Sequence, residues 1–199
     1  LGTLNLPLSD RKKNTDRRMD FFIAHSVETV KTLYNHPSII SYTIFNEGWG
    51  QFNSDMMYDR LKALDPTRLY DSTSGWFAQR KSDFDSEHIY FRLKKLKPKV
   101  RPLFVTECGG YSYNLNGQNK VYGYGKCASS EELTARIEKL YRRMIIPAIP
   151  AGCCGCIYTQ LSDIEDEING LYSYDRKTCK VSKERMRTIA QALNKTIEA

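Results

Sequence analysis

The sequence predicts an α/β fold built on parallel strands, and three observations carry that prediction. Short β-rich apolar runs alternate with helix-patterned segments five times along the 199 residues, the order that parallel strands and their crossovers produce. The run Ile39-Ile40-Ser41-Tyr42-Thr43-Ile44-Phe45 stops abruptly at Asn46-Glu47 and opens into Gly48-Trp49-Gly50. A second run, Pro102-Leu103-Phe104-Val105-Thr106, stops at Glu107 and opens into Cys108-Gly109-Gly110. Each is the length of a buried parallel strand and sets a glutamate at its C-terminal tip, where such folds carry their functional groups.

Taken in order, residues 1–14 read as polar and irregular, with Pro7 and the basic run Arg11-Lys12-Lys13. Thr15 or Asp16 can cap a helix whose apolar positions Met19, Phe22, Ile23, Val27, Val30 and Tyr34 keep helical spacing. His36-Pro37 ends it, because the residue before proline avoids helical angles, and the strand 39–46 follows. A helix from Ser54 to Leu64 comes next, then the turn Asp65-Pro66-Thr67 and a short strand at Arg68-Leu69-Tyr70-Asp71. Ser86-Glu87-His88-Ile89-Tyr90 is a weaker strand, followed by a basic segment expected to be briefly helical.

Residues 108–129 read as a long loop rich in Gly, Asn and Tyr (Tyr111, Tyr113, Tyr122, Tyr124), and a connection of that length is usually functional. Ser129 with Glu132 matches a capping box. The helix behind it presents Leu133, Ile137, Leu140, Tyr141, Met144 and Ile145, and Pro147 is expected to stop it. Residues 153–159 form the last strand, leading through Gln160 to an acidic loop with Asp163 and Glu165. A short element at 171–174 precedes a final helix with Met186, Ile189, Ala190, Leu193 and Ile197 on one face.

Hydrophobic content of 41% and 12% aromatics describe a globular chain, most simply one domain over residues 1–199. The net charge is +7, but its basic clusters are scattered and match no binding motif. They read as solvated faces, and no nucleic-acid partner is expected. No apolar run is long enough to span a membrane. Six cysteines do not describe a disulfide scaffold at this length. Cys153-x-x-Cys156 has metal-like spacing without a second pair, so no metal or cofactor is expected. Free thiols point to a reducing, cytoplasmic compartment.

Two strand-end carboxylates are what glycoside hydrolysis requires, one a proton donor and the other a nucleophile or base. The motifs around them resemble glycoside hydrolase family 2, which contains β-galactosidases, β-glucuronidases and β-mannosidases. His36-Pro37-Ser38-Ile39-Ile40 with Phe45-Asn46-Glu47 is similar to the family's fourth-strand signature. The run from Pro102 through Glu107 to Gly110 is similar to its seventh. Between them, Ser74-Gly75-Trp76 and His88-Ile89-Tyr90 match the ends of the fifth and sixth strands. Tyr158-Thr159-Gln160-Leu161-Ser162-Asp163 resembles the eighth.

The resemblance implies Glu47 as general acid/base and Glu107 as nucleophile of a retaining mechanism, with Tyr90 a hydrogen-bond donor to Glu107. It implies Asn46 as the residue that grips the sugar 2-hydroxyl. Trp49 and Trp76 are candidate stacking groups, His88 either orients Tyr90 or the substrate or is simply hydrogen-bonded within the barrel, and Gln160 lies near the sugar. The partner is therefore a β-glycoside. A complete barrel of this kind has eight strands in about 250 residues. The expectation here is a partial (β/α)8 barrel, its strands the fourth to the eighth. Unpaired edges at 39–46 and 153–159 then predict self-association or pairing with further parts of a longer chain.

Overall fold

The computed structural model describes residues 12–48, 50–117 and 122–198, with side chains from residue 16 onward. The chain divides into two compact units, residues 1–86 and 87–199.

In the first unit, helix α1 (Lys12–Leu33) precedes strand β1 (Ser41–Phe45), helix α2 (Ser54–Leu64) and strand β2 (Leu69–Thr73). The helix begins earlier than a cap at Thr15 or Asp16 would set it, so residues 12–14 are helical. β1 and β2 pair in parallel from Ser41 opposite Leu69 to Phe45 opposite Thr73. Val30, Phe45, Met57, Leu61 and Tyr70 form the core. Phe22 stacks on Phe45, ring centroids 4.9 Å apart.

Arg68 closes the end of α1. Its guanidinium donates to Tyr34 C=O (2.7 Å), a carbonyl that the helix end leaves without an intrahelical partner, and to His36 C=O (3.1 Å), which also accepts from Ile39 N–H. It also donates to the buried Asp65 carboxylate at 2.8 Å.

In the second unit, β3 (Asp85–Ile89), β4 (Leu103–Gly109) and β7 (Cys153–Thr159) form a sheet in that order, β4 and β7 parallel. The segment 91–102 between β3 and β4 is not helical. Pro98 and Pro102 each push the residue before them toward extended angles, and Leu96 drops into the core instead.

The long loop also holds structure. β5 (Tyr111–Tyr113) pairs in parallel with β6 (Gly125–Cys127), burying Ser112 between two half-buried tyrosines. Helix α3 (Ser130–Leu140) is capped by Ser129, whose hydroxyl accepts from Glu132 N–H. Glu132 in turn accepts from Ala128 N–H at 2.8 Å. Pro147 does not stop this path. α3 passes through a π turn (Tyr141–Ile145) into a 3-10 segment (Ile146–Ala151), where Pro147 sits in the first turn and needs no N–H partner. Helix α4 (Lys183–Ile197) buries Ile189 but leaves Ala190 and Ile197 exposed.

One irregularity sets the direction of Glu107. Val105 pairs with Cys156 and Cys108 with Tyr158, so Thr106 and Glu107 stand opposite Ile157 alone. This β-bulge lets Val105 and Cys108 both enter one core with Leu140, Met144 and Ile145. Strict alternation would have placed Glu107 on the face of Val105.

Candidate active site

In the first unit the parallel pair ends with Ser74 N–H donating to Phe45 C=O at 2.8 Å. Asn46 and Glu47 leave the C-terminal end of β1 there, and Ser74-Gly75-Trp76 leave β2. Glu47 is half-buried, while Asn46 and Trp76 are exposed. The Gln51 side-chain amide donates to Asn46 C=O at 2.8 Å and tightens the turn after β1. Trp49 lies outside the described residues.

In the second unit the C-terminal ends of β3, β4 and β7 come together around Glu107. Tyr90, immediately after β3, donates its hydroxyl to Glu107 Oε2. Thr159, the last residue of β7, has its Oγ1 3.3 Å from the Tyr90 hydroxyl oxygen. A phenol has one proton, and Glu107 takes it, so Thr159 donates to Tyr90. His88 lies two residues before Tyr90, on the same side of the strand, and its Nδ1 is 3.2 Å from the same Glu107 oxygen. Burial, together with the bond to Glu107, pushes the Tyr90 phenol well above its ordinary value, so it remains a donor at any ordinary pH. β4 runs on to Gly109, so Glu107 stands two residues inside the strand end rather than at its tip.

The tyrosine-rich stretch packs against this end of the sheet. Tyr124 stacks on Tyr90 with centroids 3.8 Å apart and planes 11° from parallel. Gly110 permits the stack: its φ is +63°, and a Cβ there would lie 2.5 Å from the Tyr124 ring. Tyr122 is exposed and meets Tyr124 edge-on.

Gln160 turns inward, its amide donating to Asn169 Oδ1 at 2.8 Å and Glu167 Oε2 at 3.2 Å. Asp163 is not part of an exposed acidic loop. It is buried and bound by Lys180, whose Nζ lies 2.7 and 3.0 Å from its two oxygens and also donates to Ile168 C=O (2.8 Å) and Tyr113 C=O (3.1 Å). A lysine that fully buries its side chain does so because every donor finds an acceptor. Among the described residues, neither unit by itself gathers three His, Cys, Asp or Glu side chains at one point.

The structure thus brings together three of the sequence-level residues in the second unit, His88, Tyr90 and Glu107, while Gln160 follows Thr159 in the chain but turns its side chain to Asn169 and Glu167. Reading the sequence missed Thr159, Asn169 and Lys180. Thr159 stood only inside the motif similar to the eighth strand, with no role of its own; Lys180 carried no local signal at all.

The profile of Glycosyl hydrolases family 2, TIM barrel domain, matches residues 6–107. No curated protein sequence matches the chain. Among solved structures the fold is similar to three bacterial β-glucuronidases. That of Lactobacillus rhamnosus aligns at 16% identity with a TM-score of 0.60, over 89% of this chain and 36% of that one. That of an uncultured Clostridium species aligns at 13% and 0.61, over 90% and 36%. The Faecalibacterium prausnitzii enzyme aligns at 14% and 0.58, over 88% and 35%. At these identities the likeness concerns the fold, and the chain spans about a third of the length of the relatives it matches.

Proposed function

Because the chain belongs to glycosyl hydrolase family 2 and carries part of its TIM barrel, we propose that it supplies the catalytic carboxylates of a retaining β-glycosidase acting on terminal β-galactosides or β-glucuronides. β1, β2, β3, β4 and β7 correspond in this reading to the fourth through eighth barrel strands, and the remaining wall comes from further polypeptide. The observation that carries the proposal is Glu107, held near the C-terminal end of β4 by the Tyr90 hydroxyl, with His88 Nδ1 3.2 Å from the same oxygen.

Glu107 attacks the anomeric carbon and forms a glycosyl ester, while the aglycone oxygen leaves with the bonding electrons and takes a proton from Glu47. Glu47, now ionised, removes a proton from water, and that water displaces Glu107 from the sugar. In this reading Asn46 holds the 2-hydroxyl and the exposed Trp76 lines the approach.

The test is a panel of aryl β-glycosides assayed with the full-length protein and two variants. Glu107→Gln is expected to abolish turnover. Glu47→Ala is expected to lose about 10²–10⁴-fold on poor leaving groups and to spare 2,4-dinitrophenyl substrates, which need no proton. Near-native turnover by Glu107→Gln would overturn the assignment. The partial span of the chain favours a second reading, a catalytically silent half-barrel that binds other polypeptide. Absence of turnover on the whole panel would favour it.

A further inference from the structure

The connection from β3 to β4 forms no helix. α3 and the turns after it therefore lack the neighbouring helix that such a connection commonly supplies in an α/β fold. A furrow runs along that side of the second unit. It consists of two hollows, of about 640 and 480 Å³, that share Leu93 and Arg143 in their walls. One wall is the segment 91–97. On the other, Arg136, Lys139, Arg143, Pro147 and Ala151 recur at helical spacing. At about 1.5 Å per residue that wall is roughly 20 Å long.

The floor is apolar, made by Leu93, Leu96, Met144 and Ala148, and Phe91, 75% exposed, stands in the smaller hollow. The charge around this floor is of one sign. Seven arginines and lysines line the furrow, and no carboxylate does. Glu87 holds Lys94 and Glu132 holds Arg136, each at 2.8 Å. Arg92, Lys95, Lys97, Lys139 and Arg143 are exposed and make no ion pair among the described residues.

We infer that this furrow is the seat of an acidic amphipathic helix from another polypeptide. The partner's apolar stripe covers the floor, and the carboxylates beside the stripe meet the unpaired cations on both walls. Their arrival relieves the mutual repulsion of those cations. A nucleic acid, an acidic glycan or a lipid headgroup brings negative charge but no aliphatic stripe for the floor. The inference goes beyond the glycosidase reading and does not depend on Glu107.

The test uses the full-length protein and a fluorescein-labelled peptide of roughly fourteen residues. Leucines at i, i+3, i+4 and i+7 form its stripe, and glutamates flank them. A scrambled peptide of the same composition keeps the charge and loses the stripe. Heparin and phosphatidylserine vesicles, labelled in the same way, represent the other anionic partners. At physiological salt the striped peptide is expected to bind about tenfold tighter than the scrambled one, because only it covers the floor. The triple variant Lys95→Glu, Lys97→Glu, Arg143→Glu should weaken its binding about tenfold. Ala151→Glu, which sets a like charge at the end of the floor and removes no cation, should weaken it too. All four side chains are exposed, so thermal melting followed by circular dichroism should match that of the unaltered protein.

Equal binding of the two peptides, or an unchanged affinity in either variant, would overturn the inference. So would a furrow that takes heparin or the vesicles but not the striped peptide, or one that takes none of the four. None of these outcomes touches the assignment of Glu107, which is tested by turnover.

Discussion

Replacing Lys180 by methionine keeps the apolar stem and removes only the charge and its donors. The native Nζ makes contacts of 2.7, 3.0, 2.8 and 3.1 Å with Asp163 and two carbonyls, from a side chain that is fully buried. After the substitution Asp163 keeps one hydrogen bond, from Gly170 N–H at 2.8 Å, beneath a surface that exposes only 10% of its side chain. Breaking a buried pair from one side costs about 3–5 kcal/mol. At about 2–4 °C per kcal/mol for a chain of this size, that lowers Tm by roughly 6–20 °C. Equilibrium urea unfolding followed by circular dichroism measures the loss directly. Adding Asp163→Leu to Lys180→Met should return part of it, because the orphaned charge goes too. A loss below about 1 kcal/mol, or a double variant no better than the single one, would refute the reasoning that the buried ion pair must be matched from both sides.

Burial alone would raise the Asp65 pKa, but the hydroxyl and backbone N–H of Thr67 and the Arg68 guanidinium outweigh it and hold the carboxyl below its ordinary 3.8. Its contribution to stability is therefore complete above about pH 4 and lost as pH falls through the lower folded value. Asp65→Asn should destabilise at neutral pH and flatten the acid limb of a plot of urea midpoint against pH. Ser129→Ala removes the cap of α3 and should cost about 1 kcal/mol in the same unfolding assay. Gly110→Ala forces a Cβ at φ +63° against Tyr124 and Tyr90. It should add about 1–2 kcal/mol of strain and lower turnover more than Ser129→Ala does.

Much of this architecture was legible because it is written locally. The helix at Ser54–Leu64 and the cap at Ser129 follow from spacing and short-range chemistry, and the observed bounds agree. The two glutamates stood out because each interrupts an apolar run. What escaped depends on pairing across distance. The bulge at Thr106 and Glu107 exists only relative to β7, and the strands at 111–113 and 125–127 are visible only as partners. The basic segment after Tyr90 is expected to be briefly helical, but Pro98 and the core packing of Leu96 keep 91–102 out of a helix. His88 and Tyr90 share a face by parity alone, but only sheet order names Glu107 as what they meet. Lys180 and Asp163 are seventeen residues apart and each resembles an ordinary surface charge in sequence.

The placement of the thiols makes the molecule its own reporter of local opening. All six cysteines are free and all lie after residue 86, in the second unit. Cys154 is exposed, whereas Cys108, Cys127 and Cys153 are buried, and burial pushes their thiols above the ordinary 9.0. An alkylating reagent reaches Cys154 without any opening, whereas Cys108, Cys127 and Cys153 wait for the strands around them to part. Mass gained at those three positions over time thus measures how often β4, β6 and β7 open, while residues 1–86, which contain no sulfhydryl, stay silent to the reagent.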